Sequence, residues 1–332
     1  MKSKYNFVFF VSKFDYYKYM FSDILESPDI ETRFYQDFSD FLGPVLRKIY
    51  FNIKIPCVQR FCIRQAYKKI SFNNDKPICF IYFAIYIPRI REGMVEEGRK
   101  VNKNSRHVAY FTDYRYTFGK NLETMVNNMD CLGVFDPSIA KKQNIHFWPF
   151  PYPDVKKVDN IEYDIYLTSM NDDRREKIER IAETCKEKGI RYCFNVFVPP
   201  KDRGDANIMH SDNINVLTEH VSYHDNIEYL KKSKCMLEIT KKNTDVHYCT
   251  LRVTEAVKLN KKILTDNPNI FTMPCIEANR QNVQLYSDIS KIDWDFVLDE
   301  RPVEYVGDTS AYSCQTFINN IEEAIAEFEG QR

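Results

Sequence analysis

The chain has 332 residues, 44% of them apolar, with 47 basic and 47 acidic side chains and no net formal charge. That length exceeds what one hydrophobic core usually serves, so two domains are expected, and the balanced charge excludes a global field that would recruit nucleic acid. Ten cysteines show no CxxC pair and no zinc-like Cys/His spacing, and no run reaches the roughly 20 apolar residues of a spanning helix, so a reducing cytoplasm is the expected setting.

In chain order, residues 5–14 (YNFVFFVSKF) read as a buried strand, 15–27 as a helix, 31–38 as a strand and 77–88 (PICFIYFAIYIP) as a strongly apolar strand. A helix over 89–103, a strand over 107–114, a helix over 121–129 and a strand over 131–136 follow. Pro137 then opens a short helix, and 145–150 (IHFWPF) is the last strand of this half. Prolines crowd 149–155 (PFPYPDV), where fixed φ and missing donors break regular structure, so a boundary is placed there. The second half resumes with a strand at 162–169, an amphipathic helix at 172–189 ending in Gly189, and a strand at 190–199. A helix at 224–234, a strand at 235–240, a helix at 250–260, a strand at 261–266 and a long helix at 309–330 complete it.

This βαβ order predicts parallel sheets with right-handed crossovers. The expected architecture is α/β: two doubly wound Rossmann-like domains facing across a cleft, residues 1–153 and 154–310, with a C-terminal helix at 311–332 that crosses back to the first. Ligands in such sheets lie beyond the carboxyl ends of the strands. There the stretch 246–268, VHYCTLRVTEAVKLNKKILTDNP, stands out. A helix starting at Thr250 directs free amides and partial positive charge outward, which together with Arg252 suits a pyrophosphate. Glu255 suits the hydroxyls of a ribose, since a carboxylate accepts two hydrogen bonds from a diol. The alternative is that Glu255 only complements the helix dipole and Arg252 is a solvated surface residue.

The segments EYDIYLTS, DDRREKIERI, HVSYHDNIEYLKKSKCMLEIT and TLRVTEAVKLNKKILTDN, in that order, resemble the donor half of GT-B-fold glycosyltransferases. The resemblance is to the bacterial capsule and lipopolysaccharide branch, with a family 1/4-like, CgeB-like donor domain, and it covers residues 160–270 best. CLGVFDPSIAKKQNIHFWPFPYP looks like the closing strand–helix–strand of that family's first domain. The resemblance implies that Glu255 binds the donor ribose and that Thr250 and Arg252 sit at the diphosphate. It also implies that the loop Ser169–Arg174 closes over the phosphates and that Val221, Ser222 and Tyr223 line the base pocket. The family often has glycine in the loop before this helix. This chain has none there, so Lys241, Lys242 or His247 would assist.

On the acceptor side, Asp113 in AYFTDYRYT is the preferred catalytic base and Asp15 the second choice, each with a cap or turn acid as its plainer reading. Asp293-Trp294-Asp295 imitates a metal-binding DxD but reads as a helix start with a buried Trp294. No metal and no other cofactor is expected, because helix amides and basic side chains can stabilise a leaving diphosphate. From Phe41 to Asn74 there is no acid, and seven basic residues alternate with aliphatic and aromatic ones. That pattern suits either a peripheral contact with an anionic membrane through residues 45–70 or a packed helix with a basic outer face.

The function expected is transfer of a sugar from a nucleotide-diphosphate sugar to a glycan or lipid-linked acceptor in surface polysaccharide synthesis, at the inner face of the plasma membrane. The alternatives are a nucleotide-sugar epimerase of the same fold and a non-catalytic nucleotide- or glycan-binding module. No nucleic-acid partner is expected.

Overall fold

A computed structural model describes residues 2–11, 15–36, 38–83, 93–112, 128–155, 158, 160–200, 214–219, 221–241 and 249–330. The chain divides into two compact units, Met1–Pro153 together with Cys314–Arg332, and Asp154–Ser313.

The first unit runs β1 (Asn6–Phe10), α1 (Asp15–Met20), α2 (Ser22–Leu25), β2 (Thr32–Tyr35), α3 (Pro44–Asn52), α4 (Pro56–Tyr67), β3 (Ile78–Phe83) and α5 (Met94–Val101). It continues with β4 (Arg106–Phe111), β5 (Cys131–Val134), α6 (Pro137–Gln143) and β6 (His146–Phe147). Its sheet has the order β2-β1-β3-β4-β5-β6 with every pairing parallel. β1 and β3 are buried along their whole length, which is why they read as unbroken apolar runs rather than alternating ones. Rings fill this core: Phe9 stacks on Phe34 at 4.6 Å and Phe10 on Tyr82 at 5.2 Å. β6 is only two residues long because Pro149, Pro151 and Pro153 follow at once. Before α6, Asp136 accepts from the amides of Ser138 and Ile139 at 2.9 and 3.0 Å, and Pro137 supplies the first helical residue. Gly133 in β5 makes room for a ring: a Cβ there would lie 1.9 Å from Trp148 Cε3.

Among the polar groups buried in this unit is an imidazole. His107 lies between the Tyr82 hydroxyl, 2.9 Å from Nδ1, and Ser105 Oγ, 3.2 Å from Nε2, while its backbone amide donates to Asp130 at 2.7 Å. Burial drives its pKa well below the ordinary imidazole value, so the ring is neutral.

The second unit runs β7 (Tyr163–Met170), α7 (Arg175–Glu187), β8 (Tyr192–Phe197), β9 (Asn215–Leu217), α8 (Tyr223–Lys231), β10 (Ser233–Glu238), α9 (Leu251–Lys258), β11 (Lys262–Thr265), β12 (Val283–Leu285) and α10 (Trp294–Leu298). Its sheet has the order β12-β11-β10-β7-β8-β9, again wholly parallel. The amphipathic α7 buries Ile178, Ile181, Ala182 and Cys185 against Ile165, Leu167, Phe194 and Leu237, and Gly189 beyond its end takes φ +68°. Asp293 caps α10 by accepting from the Asp295 amide at 3.0 Å, so the DWD triplet is a helix start. Trp294 is half-buried rather than buried, because it covers the core from one side only.

The final helix, α11 (Cys314–Gly330), belongs to the first unit. Phe317 packs on Phe21, Tyr110 and Trp148, and the Cys314 thiol lies 3.1 Å from the Met20 carbonyl. The helix expected from Thr309 is interrupted, since a 3-10 turn over Thr309–Tyr312 ends in extended backbone at Ser313. All ten cysteines are free thiols. Cys57 is exposed, Cys275 partly buried and the others buried.

Candidate functional site

Because every strand of the second sheet runs the same way, the carboxyl ends of β7, β10 and β11 meet at one edge. Consecutive residues at the end of β10 tie the surrounding elements to that edge. Glu238 accepts from the Thr250 amide at 3.1 Å, the Thr250 hydroxyl at 2.7 Å and the Thr265 hydroxyl at 2.8 Å. The Ile239 carbonyl accepts from Arg174 Nη1 at 3.4 Å, and the Thr240 amide donates to Asp266 at 2.7 Å. Asp266 also holds the Lys177 ammonium at 2.6 Å. Lys241 reaches Asp172 at 3.0 Å, and Asp172 binds Arg174 through two parallel bonds of 2.8 Å. The loop after β7, the end of β10, the end of β11 and the start of α9 are thereby fixed together, with Arg174, Lys177, Lys241 and Arg252 among them.

At α9, Thr250 is the N-cap and its hydroxyl accepts from the Arg252 amide at 3.3 Å. One turn on, Glu255 is fully buried. Its Oε1 accepts from the Tyr223 hydroxyl at 2.5 Å and its Oε2 from Arg252 Nη1 at 2.6 Å. The Arg252 guanidinium also sits 5.9 Å from the centre of the Tyr223 ring, within cation–π range. Burial pulls the pKa of Arg252 down, but the Glu255 carboxylate and the Tyr223 and Tyr166 hydroxyls reverse this and leave it raised, so the charge is permanent. Burial pushes the Glu238 carboxyl up, and the bonds from Thr250 and Thr265 offset part of that rise. Asp172 would also be raised by burial, but Arg174 and Lys241 outweigh this and hold its carboxyl below the usual range.

The structure therefore brings together Arg174, Tyr223, Thr250, Arg252 and Glu255. Ser222 is spent on α8, where its hydroxyl accepts from the Asp225 amide at 3.1 Å and lies 2.7 Å from the Asp225 carboxylate. Val221, half-buried, precedes it. Ser169 lies near the end of β7 with its hydroxyl bonded to the Met170 carbonyl at 3.3 Å. Asp113, Lys242 and His247 lie outside the described residues. Sequence reasoning passed over Glu238, Asp172, Lys177 and Asp266. Their only signal is position, each acid standing at or just past the end of an apolar strand.

The opposite edge of this sheet holds a hollow of about 610 Å³ lined by Arg191, Lys234, Lys262, Asp299, Glu300 and Arg301 among others. Its charges are matched internally. Lys234 lies 3.1 Å from Asp164 and 2.9 Å from Glu300, Arg301 lies 2.9 Å from Asp299, and Lys262 donates to the Phe296 carbonyl at 2.7 Å. Those contacts pin the 299–303 segment to the sheet.

No protein-family profile matches the chain, and no curated protein matches it. Solved structures do. AviGT4, a glycosyltransferase involved in avilamycin A biosynthesis, superposes with a TM-score of 0.55 at 8% identity over 97% of each chain. The fold is GT-B. TarM matches with a TM-score of 0.47 at 15% identity over 81% of this chain, which spans just over half (55%) of TarM. The T4 phage BGT, solved with UDP and Mn²⁺, matches with a TM-score of 0.46 at 12% identity over 100% of this chain and 98% of its own. The GT-B assignment rests on the first of these, together with the two parallel six-stranded sheets.

Proposed function

We propose that this chain is a glycosyltransferase that holds a nucleotide-diphosphate sugar at the carboxyl edge of the second sheet and transfers the sugar to a glycan or lipid-linked acceptor in surface polysaccharide synthesis. The observation that carries the reading is the end of β10, where residues 238–241 tie Arg174, Lys241, Asp266 and the capped start of α9 to one place. As the bond between the sugar's anomeric carbon and the diphosphate oxygen breaks, negative charge grows on that oxygen, and fixed cations lower the barrier by meeting it without rearranging. Arg252 and Arg174 fill this role, with Lys241 assisting in place of the glycine-rich approach the loop lacks.

Glu255 is the proposed ribose acceptor; its carboxylate is closed off by Tyr223 and Arg252 in this structure, so a nucleotide reaches it by displacing the Tyr223 ring. Two of the carboxylate's roughly four lone-pair sites are taken by Tyr223 and Arg252, and the remainder suit a diol. Val221 and Tyr223 border the base, with Ser222 and Ser169 framing the same end. Asp113 is the proposed base toward the acceptor hydroxyl. The cations leave no step that calls for a resident metal, so donor binding persists in EDTA.

The test is thermal stabilisation of the full chain by UDP, GDP and CMP, followed by sugar release from the matching nucleotide sugars. A nucleotide at a hundred times its Kd adds about 2.7 kcal/mol. No stabilisation by any nucleotide removes the reading. Stabilisation with neither hydrolysis nor transfer would make the chain a binding module, and interconversion of the donor sugar would make it an epimerase.

A further inference from the structure

Between Phe41 and Asn74 the chain carries seven bases and no acid, and nothing in the donor chemistry uses them. In the structure this stretch is largely the α3–α4 hairpin. Val45 is 72% exposed, Ile55 54%, Phe61 50%, Phe51 41% and Ile53 37%. Every residue from Phe51 to Cys57 is exposed, and the one buried residue of α3 is Tyr50. Helices this short owe their stability to tertiary packing, so α3 lacks a covering surface for much of its length. Contiguous apolar exposure rimmed by polar groups marks a place where something binds.

The charges say what that is. Arg60 and Arg64 turn toward α5, at 3.3 Å from Glu96 and 2.7 Å from Glu97, and Arg47 lies 3.7 Å from Asp40. These pairs seat the hairpin on its own unit. Among the described residues Lys48, Lys54, Lys68 and Lys69 have no carboxylate partner, and Lys54 stands between the exposed Ile53 and Ile55. A second copy of the chain would set this basic patch against itself across a two-fold axis, which repulsion opposes.

We propose that the α3–α4 hairpin seats this chain on an anionic lipid bilayer, with Phe51, Ile53 and Ile55 in the interfacial layer and the lysines against headgroup phosphates. The proposal stands independently of the donor site.

Flotation of the full chain with phosphatidylcholine vesicles, with and without phosphatidylglycerol, tests it. Comigration is expected with the anionic vesicles alone and weakens as salt rises. Lys48→Ala with Lys54→Ala should lower partitioning about 25-fold, at about fivefold per lysine. The triple variant Phe51→Ser, Ile53→Ser, Ile55→Ser should abolish it, with the thermal midpoint of both variants unchanged because the altered side chains are exposed. A polarity-sensitive dye on Cys57, the exposed thiol, should shift to the blue on anionic vesicles and stay unshifted on neutral ones. Absence of flotation, equal binding to neutral vesicles, or indifference to both variants would overturn the proposal. So would capture of the patch by an acidic protein or a second copy in place of lipid.

Discussion

In the first unit the buried side chains that meet are largely rings. Phe9, Phe21, Phe83 and Tyr110 run one into the next toward Trp148, and the polar His107 is enclosed and neutral. In the second unit the core is mostly aliphatic, and carboxylates and cations collect where β7, β10 and β11 end. Both sheets have six parallel strands and the same doubly wound logic. Among the described residues, then, one topology accommodates two kinds of interior, rings under one sheet and aliphatic side chains with a charged strand edge under the other.

The strongest way to break this comparison is to remove one central residue from each unit. Glu255→Ala leaves Arg252 without its buried partner, a loss of about 3–5 kcal/mol, and should also erase nucleotide stabilisation. Phe9→Ala in the other core costs a similar amount, about 3–5 kcal/mol, yet should leave the nucleotide shift whole. Calorimetry with and without nucleotide reads both. A full shift in the Glu255 variant would move the ligand elsewhere.

A smaller effect sharpens the picture at the strand ends. If Arg174 and Lys241 each give the diphosphate a charge-assisted contact worth about 1.5–3 kcal/mol, Arg174→Ala and Lys241→Ala should lower nucleotide affinity about tenfold to a hundredfold by titration. The melting midpoint should fall more for Arg174, which also holds Asp172 and the Ile239 carbonyl, than for Lys241. Equal affinity in both variants would assign these cations to structure alone.

The smallest effect is in pH. The unfolded chain protonates His107 below about pH 6.5, whereas the folded chain resists. Stability should therefore drop as pH falls below that value, by about 1.4 kcal/mol per unit. Glu238, raised by burial, acts in the opposite sense at lower pH. The difference between the parent and His107→Gln isolates the imidazole, and identical pH profiles would show that the ring titrates normally.

Much of the architecture was legible because the central strands are buried on both faces and therefore apolar throughout, as FVFF and ICFIYF show. The edge strands β9 and β12 escaped notice because three residues with polar members carry no period. In the candidate site, Arg252 and Glu255 read as a pair because i, i+3 spacing puts them on one face of the helix, and Thr250 reads as its N-cap. Glu238 could not be found this way: an acid closing an apolar run looks solvated, and its burial comes from Thr250 and Thr265, 12 and 27 residues away. The pairing of Lys177 with Asp266, 89 residues apart, is equally invisible before folding.

The return of α11 to the first unit has a consequence for how the chain comes into being. Phe317 completes a ring cluster whose other members, Phe21, Tyr110 and Trp148, leave the ribosome before any of the second unit does. An apolar face of the nascent first unit thus waits for its cover while some 160 residues are still being translated. In that interval it is a natural client for a chaperone, and a premature stop between Pro153 and Cys314 would strand it uncovered.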